Sequence, residues 1–156
     1  MKIRLHFIGK CKSGPEVEIF DRYFSRLRKV GRSINIFPVD VIEYDERKFF
    51  SKNRDLKFSS RTSSDKITNI LLDETGKNIS SNSFALLLNN FKDQGVSELS
   101  FFVGGAQGFP KELKADFARV ISFGKMVWPH MFARVMLIEQ LYRASTIISG
   151  LPYHKS

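Results

Sequence analysis

The sequence predicts an α/β domain built on a mostly parallel sheet with helices on both faces. Three observations lead there. Short β-rich runs recur at residues 3–7, 34–42, 67–72, 99–103 and 120–122. Stretches with apolar residues at helical spacing lie between or after them, and strands alternating with helices favour a parallel sheet. No internal repeat and no linker long enough to separate two domains interrupts the order, so residues 1–156 read as one domain.

In order, Ile3, Leu5 and Phe7 alternate with polar residues and stop at Gly9, a first strand. Val17, Phe20, Phe24 and Leu27 recur at helical spacing over residues 16–30, with Gly31 as the expected stop. Residues 34–42 form a second strand, which Pro38 confines to an edge or a bulge. Residues 45–65 carry mixed charge and predict a weak helix followed by a loop. Residues 67–72 form a short buried strand, and Asp73-Glu74-Thr75-Gly76 a turn. Phe84, Leu87, Leu88 and Phe91 define a helix to about Gly95, capped by Ser80 or Ser81. The strand at 99–103 runs into Gly104-Gly105-Ala106-Gln107-Gly108, and Pro110 opens a helix. A short strand near residues 120–122 leads to a final helix from about Phe132 to Ser149, ended by Gly150 and Pro152.

That last helix is apolar nearly all round. Met131, Val135, Ile138 and Tyr142 form one stripe and Ala133, Leu137, Leu141, Ala144 and Ile148 a second, with Phe132 and Met136 on a third face. Such a helix must be covered on more than one side, and a second subunit is one way to do it.

Composition narrows the function classes. Aromatic residues make up 13% of the chain, with 15 Phe, which excludes a disordered tail. The single Cys11 excludes an internal disulfide and a multi-cysteine zinc site and fits a reducing, cytoplasmic setting. His6, His130 and His154 show no metal-ligand spacing, so no metal is expected. No apolar run approaches the ~20 residues of a membrane span. The start of the chain alternates charged and apolar residues as a strand does, unlike a signal peptide. The net charge is +9, and residues 1–32 hold nine basic against three acidic residues. That imbalance suits an anionic partner such as nucleic acid, although a solvated basic surface has the same composition.

In open parallel sheets ligands bind beyond the carboxyl ends of the strands, here the loops after Leu72, Val103 and Ser122. The Gly104–Gly108 turn has neither the P-loop lysine nor the dinucleotide glycine spacing. It brings bare backbone close to a ligand, or simply makes a tight strand-to-helix turn. No nucleophile elbow is present, and Cys11 has no adjacent histidine.

Several spaced motifs together are more specific. Leu72-Asp73, Val103-Gly104-Gly105-x-x-Gly108, Ser122-Phe123-x-Lys125-Met126-x-x-Pro129-His130, the run Arg134 to Ala144 and the terminal Pro152-Tyr153-His154-Lys155 resemble the RlmH family. That family belongs to the SPOUT class of RNA methyltransferases. The resemblance spans the chain and is dense from residue 99 onward. It implies a C-terminal trefoil knot, which no periodicity would suggest, because threaded chains are what the topology rules exclude. It further implies a homodimer that moves a methyl group from S-adenosyl-L-methionine to N3 of a pseudouridine in large-subunit ribosomal RNA, preferring the assembled ribosome. Carried onto this sequence, the cofactor pocket comprises Leu72, Gly104, Phe123, Gly124, Lys125, Met126, Val127 and Trp128. His154 is the candidate base, with Tyr153 and Arg143 positioning the substrate base or a phosphate. The alternatives are a non-catalytic RNA- or ribosome-binding protein, which needs neither the glycine turn nor the tail, and a SPOUT enzyme acting on transfer RNA. The short chain leaves no room for the added RNA-binding domain that the latter would use.

Overall fold

A computed structural model describes residues 1–52 and 66–154; the expected loop before residue 66 lies outside the described residues. Ten elements follow in order: β1 (Lys2–Ile8), α1 (Pro15–Ser33), β2 (Val39–Tyr44), α2 (Glu46–Lys52), β3 (Ile67–Asn78), α3 (Ser81–Asp93), β4 (Glu98–Val103), α4 (Lys111–Lys114), β5 (Arg119–Ser122) and α5 (His130–Ser149). The strands form a five-stranded sheet in the order β2-β1-β4-β3-β5, and every pair is parallel.

Helices cover both faces. On one, Ile3, Leu5, Phe7, Ile70, Leu99 and Phe101 pack under α1, α3 and α5 through Leu27, Phe84, Leu88, Leu137, Ile138 and Leu141. On the other, Ile8, Leu71 and Phe102 meet Phe49 of α2 together with Phe109 and Phe117. The alternation of faces along a strand assigns β1 residues to the two layers in turn.

Local departures from the sequence reading have identifiable causes. Helix α1 runs through Gly31 to Ser33, so the glycine is no stop. A Cβ there would stand 2.4 Å from the Ile36 carbonyl oxygen, so the glycine lets the returning chain press against the helix. Strand β2 begins only after Pro38 and lies at the sheet edge, where a missing N–H is tolerated. Asp73–Gly76 is not a terminating turn. Strand β3 continues to Asn78, with its register against β5 broken between Leu72 and Lys77. The helix after Pro110 is the single short α4, whereas α3 is capped by Ser80, whose Oγ accepts from Ser83 N at 3.1 Å.

The all-round apolar α5 is largely explained within the chain. It lies between α1 and α3 above the sheet, and Gly150 closes it in a left-handed conformation (φ 69°). Phe132 remains 49% exposed at its N-terminal end. Among the described residues no helix is long and apolar enough to cross a membrane.

His6 is buried on β1 and stacked on Phe102 with ring centroids 4.2 Å apart; its Nδ1 lies 2.7 Å from the Tyr44 hydroxyl. Burial, reinforced by the Arg4 charge, lowers its pKa from 6.5 to about 4. The folded state therefore resists a proton that the unfolded chain accepts. Stability is complete above pH 6.5 and declines as the pH falls toward 4, by up to roughly 3 kcal/mol. His6→Phe should flatten that part of the curve, measured as urea midpoints between pH 4 and 7. An unchanged acid limb would assign the loss to other groups.

Candidate active site

The parallel register brings three strand ends together. Leu72 of β3 is paired with Val103 of β4 and with Ile121 of β5, so the loops that follow these strands emerge side by side. They line one cleft of about 90 Å³ with Leu72, Asp73, Glu74, Val103, Gly104, Gly105, Gly108, Phe109, Ser122, Phe123, Met126, Trp128, His130 and Ala133. The cleft adjoins a larger depression of about 530 Å³ that shares Asp73, Gly105, Trp128 and His130 with it and adds Val127 and Lys114. Met126 and Val127 are 70% and 74% exposed, an apolar rim without cover.

The glycine turn is compact for a steric reason. A Cβ on Gly104 would approach Gly108 Cα to 2.9 Å, and one on Gly105 would meet Glu46 Oε1 at 2.6 Å. Glu46 Oε1 is itself buried without a hydrogen-bond partner among the described residues, directly behind the loop. Gly105→Ala should therefore lower the thermal midpoint, and adding Glu46→Ala should recover much of the loss. Additive destabilisation would show that the carboxylate is not what the new methyl meets.

Charge is arranged around the cleft. Burial pulls the Asp73 carboxyl upward, but hydrogen bonds from Lys114 and Thr75 outweigh it and hold the group below the usual range. Lys114 Nζ lies 2.7 Å from Asp73 Oδ2, tying α4 to the bulge in β3. His130 opens α5 beside the cleft, and burial, with the nearby Arg134 charge, lowers its pKa against the opposing pull of Glu46. Among the described residues no cluster of His, Cys, Asp or Glu is arranged to hold a metal ion.

The chain end forms a second cluster near the other end of α5. Arg143 donates from Nη2 to Glu139 Oε1 at 2.6 Å and from Nε at 3.0 Å, and this pairing raises its pKa. Its guanidinium lies 4.8 Å from the Tyr153 ring centre, and Nη1 is 3.4 Å from His154 Nδ1. Arginine only donates, so in this contact His154 Nδ1 is the acceptor and a neutral ring carries its proton on Nε2. The Tyr153 hydroxyl reaches Glu139 Oε1 (3.1 Å) and the Tyr23 hydroxyl of α1 (3.3 Å). Burial, followed by these two neighbours, raises its pKa.

Of the eight sequence-expected pocket residues, Leu72, Gly104, Phe123, Met126 and Trp128 line the cleft. Val127 lines the adjoining depression, while Gly124 and Lys125 line neither. Gly124 instead donates its N–H to Ser122 Oγ at 3.2 Å, closing the turn. Arg143, Tyr153 and His154 do come together, but apart from the cleft. Ala133 and Arg143 are ten positions apart on α5, about 15 Å along its axis. Asp73, Glu74 and His130 were not among the expected site residues, although their positions just beyond strand ends or at a helix start could have marked them.

A ligand cleft at the carboxyl edge of an all-parallel sheet defines an α/β ligand-binding domain of the open-sheet kind. The family described as "Predicted SPOUT methyltransferase" matches residues 1–154. The chain belongs to that SPOUT methyltransferase family. Similar full-length proteins are named "Ribosomal RNA large subunit methyltransferase H". The one from Dinoroseobacter shibae is 41% identical over 155 residues, covering 99% of each chain. The one from Sinorhizobium fredii is 38% identical over 160 residues, covering 100% of each. A solved structure of a probable methylase family protein from Haemophilus influenzae Rd KW20 superposes with a TM-score of 0.55. It covers 99% of this chain and 70% of that one at 12% identity, a likeness of fold alone.

Proposed function

We propose that the protein transfers a methyl group from S-adenosyl-L-methionine to N3 of a pseudouridine in large-subunit ribosomal RNA, with the assembled ribosome as preferred substrate and the cytoplasm as its setting. The observation that carries this reading is the cleft itself. It is a glycine-lined, apolar-walled recess at the strand ends, in a chain 41% identical end to end to a named ribosomal RNA methyltransferase.

The residues fit the cofactor. Leu72, Phe123 and Met126 offer apolar surface to an adenine, and Gly104 and Gly105 line the recess in a loop kept compact against Gly108 and Glu46. Asp73 and Glu74 at the rim suit the positive charge of a sulfonium and an ammonium. Gly124, Lys125 and Val127 contribute through the course of the chain that presents Phe123, Met126 and Trp128. The bound cofactor supplies an electrophilic methyl carbon, and the reaction is an in-line displacement that depends on orientation. An imide N–H is a poor nucleophile until its proton leaves. His154 serves through its Nδ1 lone pair once Arg143 releases it, or through Nε2–H by holding a uracil oxygen as negative charge develops. Arg143 neutralises the same charge, and Tyr153, anchored by Glu139 and Tyr23, presents its ring to the base.

Reacting atoms must approach to about 3–3.5 Å, and the tail cluster lies well along α5 from the cleft. That separation supports a homodimer in which one subunit's tail completes the other's pocket. Grooves flanking α1 support the same assembly: one combines Val17, Phe20, Phe24, Met131 and Val135 with a charged border, the other carries Ile19, Val135 and Met136. The C-terminal knot is part of this reading, supported by α5 returning from the edge strand β5 to lie between α1 and α3.

The test is incubation with labelled S-adenosylmethionine and, separately, free ribosomal RNA, large subunits and whole ribosomes, followed by mapping of the methylated nucleotide. Label at a large-subunit pseudouridine N3 is expected, strongest with ribosomes. Transfer only to transfer RNA, or binding without transfer, would overturn the reading.

A further inference from the structure

The outer flank of α1 carries a row of cations that the pocket chemistry does not use. From Arg22 to Val39 the chain has no acidic residue, yet Arg22, Arg26, Arg28, Lys29 and Arg32 are all exposed. None of the five forms an ion pair among the described residues. Unpaired surface cations repel one another, and an anion shared between them relieves that repulsion.

Helical spacing divides the five. Arg22, Arg26 and Lys29 follow one another at i, i+4 and i+7 along the outer crest of α1, over about 10 Å of helix axis. Tyr23 borders this crest on one side, Arg28 and Arg32 on the other. Arg26 joins the row to the chain end by an unbroken series of contacts. The Arg26 guanidinium lies 5.7 Å from the Tyr23 ring centre. The Tyr23 hydroxyl meets that of Tyr153 at 3.3 Å. The Arg143 guanidinium covers the Tyr153 ring at 4.8 Å and reaches His154 at 3.4 Å. A guanidinium resting on a ring is partly oriented and still presents its N–H edge, the geometry that grips phosphate in a bidentate way.

We propose that Arg22, Arg26 and Lys29 form a phosphate-docking ridge that leads the substrate RNA strand along α1 to the Tyr153–His154 tail. The proposal rests on the methyltransferase reading and adds to it the surface that holds the nucleic acid backbone. The ridge reads no sequence; it sets the register of the strand so that the target base reaches the tail. Its signature is electrostatic, because each neutralised phosphate releases counterions.

The test compares the triple variant Arg22→Gln, Arg26→Gln, Lys29→Gln with a control of equal charge loss away from α1, Lys77→Gln, Lys92→Gln, Arg119→Gln. Binding to whole bacterial ribosomes and to protein-free large-subunit ribosomal RNA is measured from low to high salt. Loss of three phosphate contacts should reduce the slope of log affinity against log salt by about 2. The KM for the RNA substrate should rise at least about tenfold, with kcat little changed and S-adenosylmethionine affinity equal to that of the unsubstituted chain. The control should keep most of the original slope. An unchanged slope in the ridge variant, or an equal loss in both triples, would overturn the ridge while leaving methyl transfer by the unsubstituted protein intact. If that protein neither binds nor methylates RNA, the methyltransferase reading fails, and the ridge fails with it.

Discussion

Removal of residues 152–156 should reduce methyl transfer by about a thousandfold or more, since general acid–base assistance alone contributes roughly 10²–10⁴. The truncation takes away His154 and the Tyr153 ring together, and with them the partner that Arg143 reaches at 3.4 Å. The cleft is built from the bulge in β3 and the loops after β4 and β5 and, among the described residues, contains no tail residue, so S-adenosylmethionine affinity by calorimetry should be unchanged. Retention of full activity would show that the tail has no chemical role. Loss of cofactor binding would show that the tail helps to hold the cofactor. Mixing the truncated chain with a chain altered in the pocket should restore part of the activity, because one of the two sites in a heterodimer then has both an intact pocket and an intact tail. Verified heterodimers without rescue would contradict the shared site.

Arg134→Ala should be the most destabilising single change outside the apolar core, about 3 kcal/mol, or a fall of roughly 10 °C in the thermal midpoint for a chain of this size. Arg134 is 3% exposed, although arginine is seldom buried. From the first turns of α5 it donates to the carbonyl oxygens of Ile8 (3.1 Å) and Gly9 (2.9 Å) and to Glu43 of β2 (2.9 Å), over the Phe7 ring at 4.8 Å. Alanine would leave two strand-end carbonyls without donors and a hole beside Phe7. Loss of the Glu43 pairing matters less, because that carboxylate is a third exposed and water can replace the arginine. Arg134→Lys keeps the charge but cannot span all three acceptors, so it should fall between the two. A midpoint within about 2 °C of the unsubstituted chain would show that solvent satisfies these carbonyls instead.

Much of the architecture was legible because it is written in short-range periodicity. The i, i+3, i+4 spacing of Phe84, Leu87, Leu88 and Phe91 and the cap at Ser80 locate α3 to within a residue or two. The apolar run that becomes β4 and the glycines after it place the cleft loop at the right point in the chain. The errors fell where backbone beyond the local three- or four-residue period intervenes. Gly31 reads as a helix stop, but its function is to admit the Ile36 carbonyl. Asp73-Glu74-Thr75-Gly76 reads as a turn, yet β5 pairs with the chain on both sides of it, and Lys114 holds Asp73 in place. Asp73, Glu74 and His130 stand next to motif residues in the sequence, but only the pairing of β3 with β4 and β5 places them in one cleft.

By itself the sequence determined the class of domain, the order of its elements, the loops at which a ligand could bind and the surplus of positive charge near its start. These follow from interactions between residues two to four apart, which a string of letters records directly. Only the tertiary structure decided that β1 lies between β2 and β4, that α5 is covered by α1 and α3, and that Tyr153 meets Tyr23 across 130 positions. It also separated the tail from the cleft along α5 and linked Arg26 to that tail through Tyr23. Those placements depend on how crossovers close over long loops and on which face each strand turns inward. No local pattern specifies either, because the energy that selects them comes from packing the whole sheet at once.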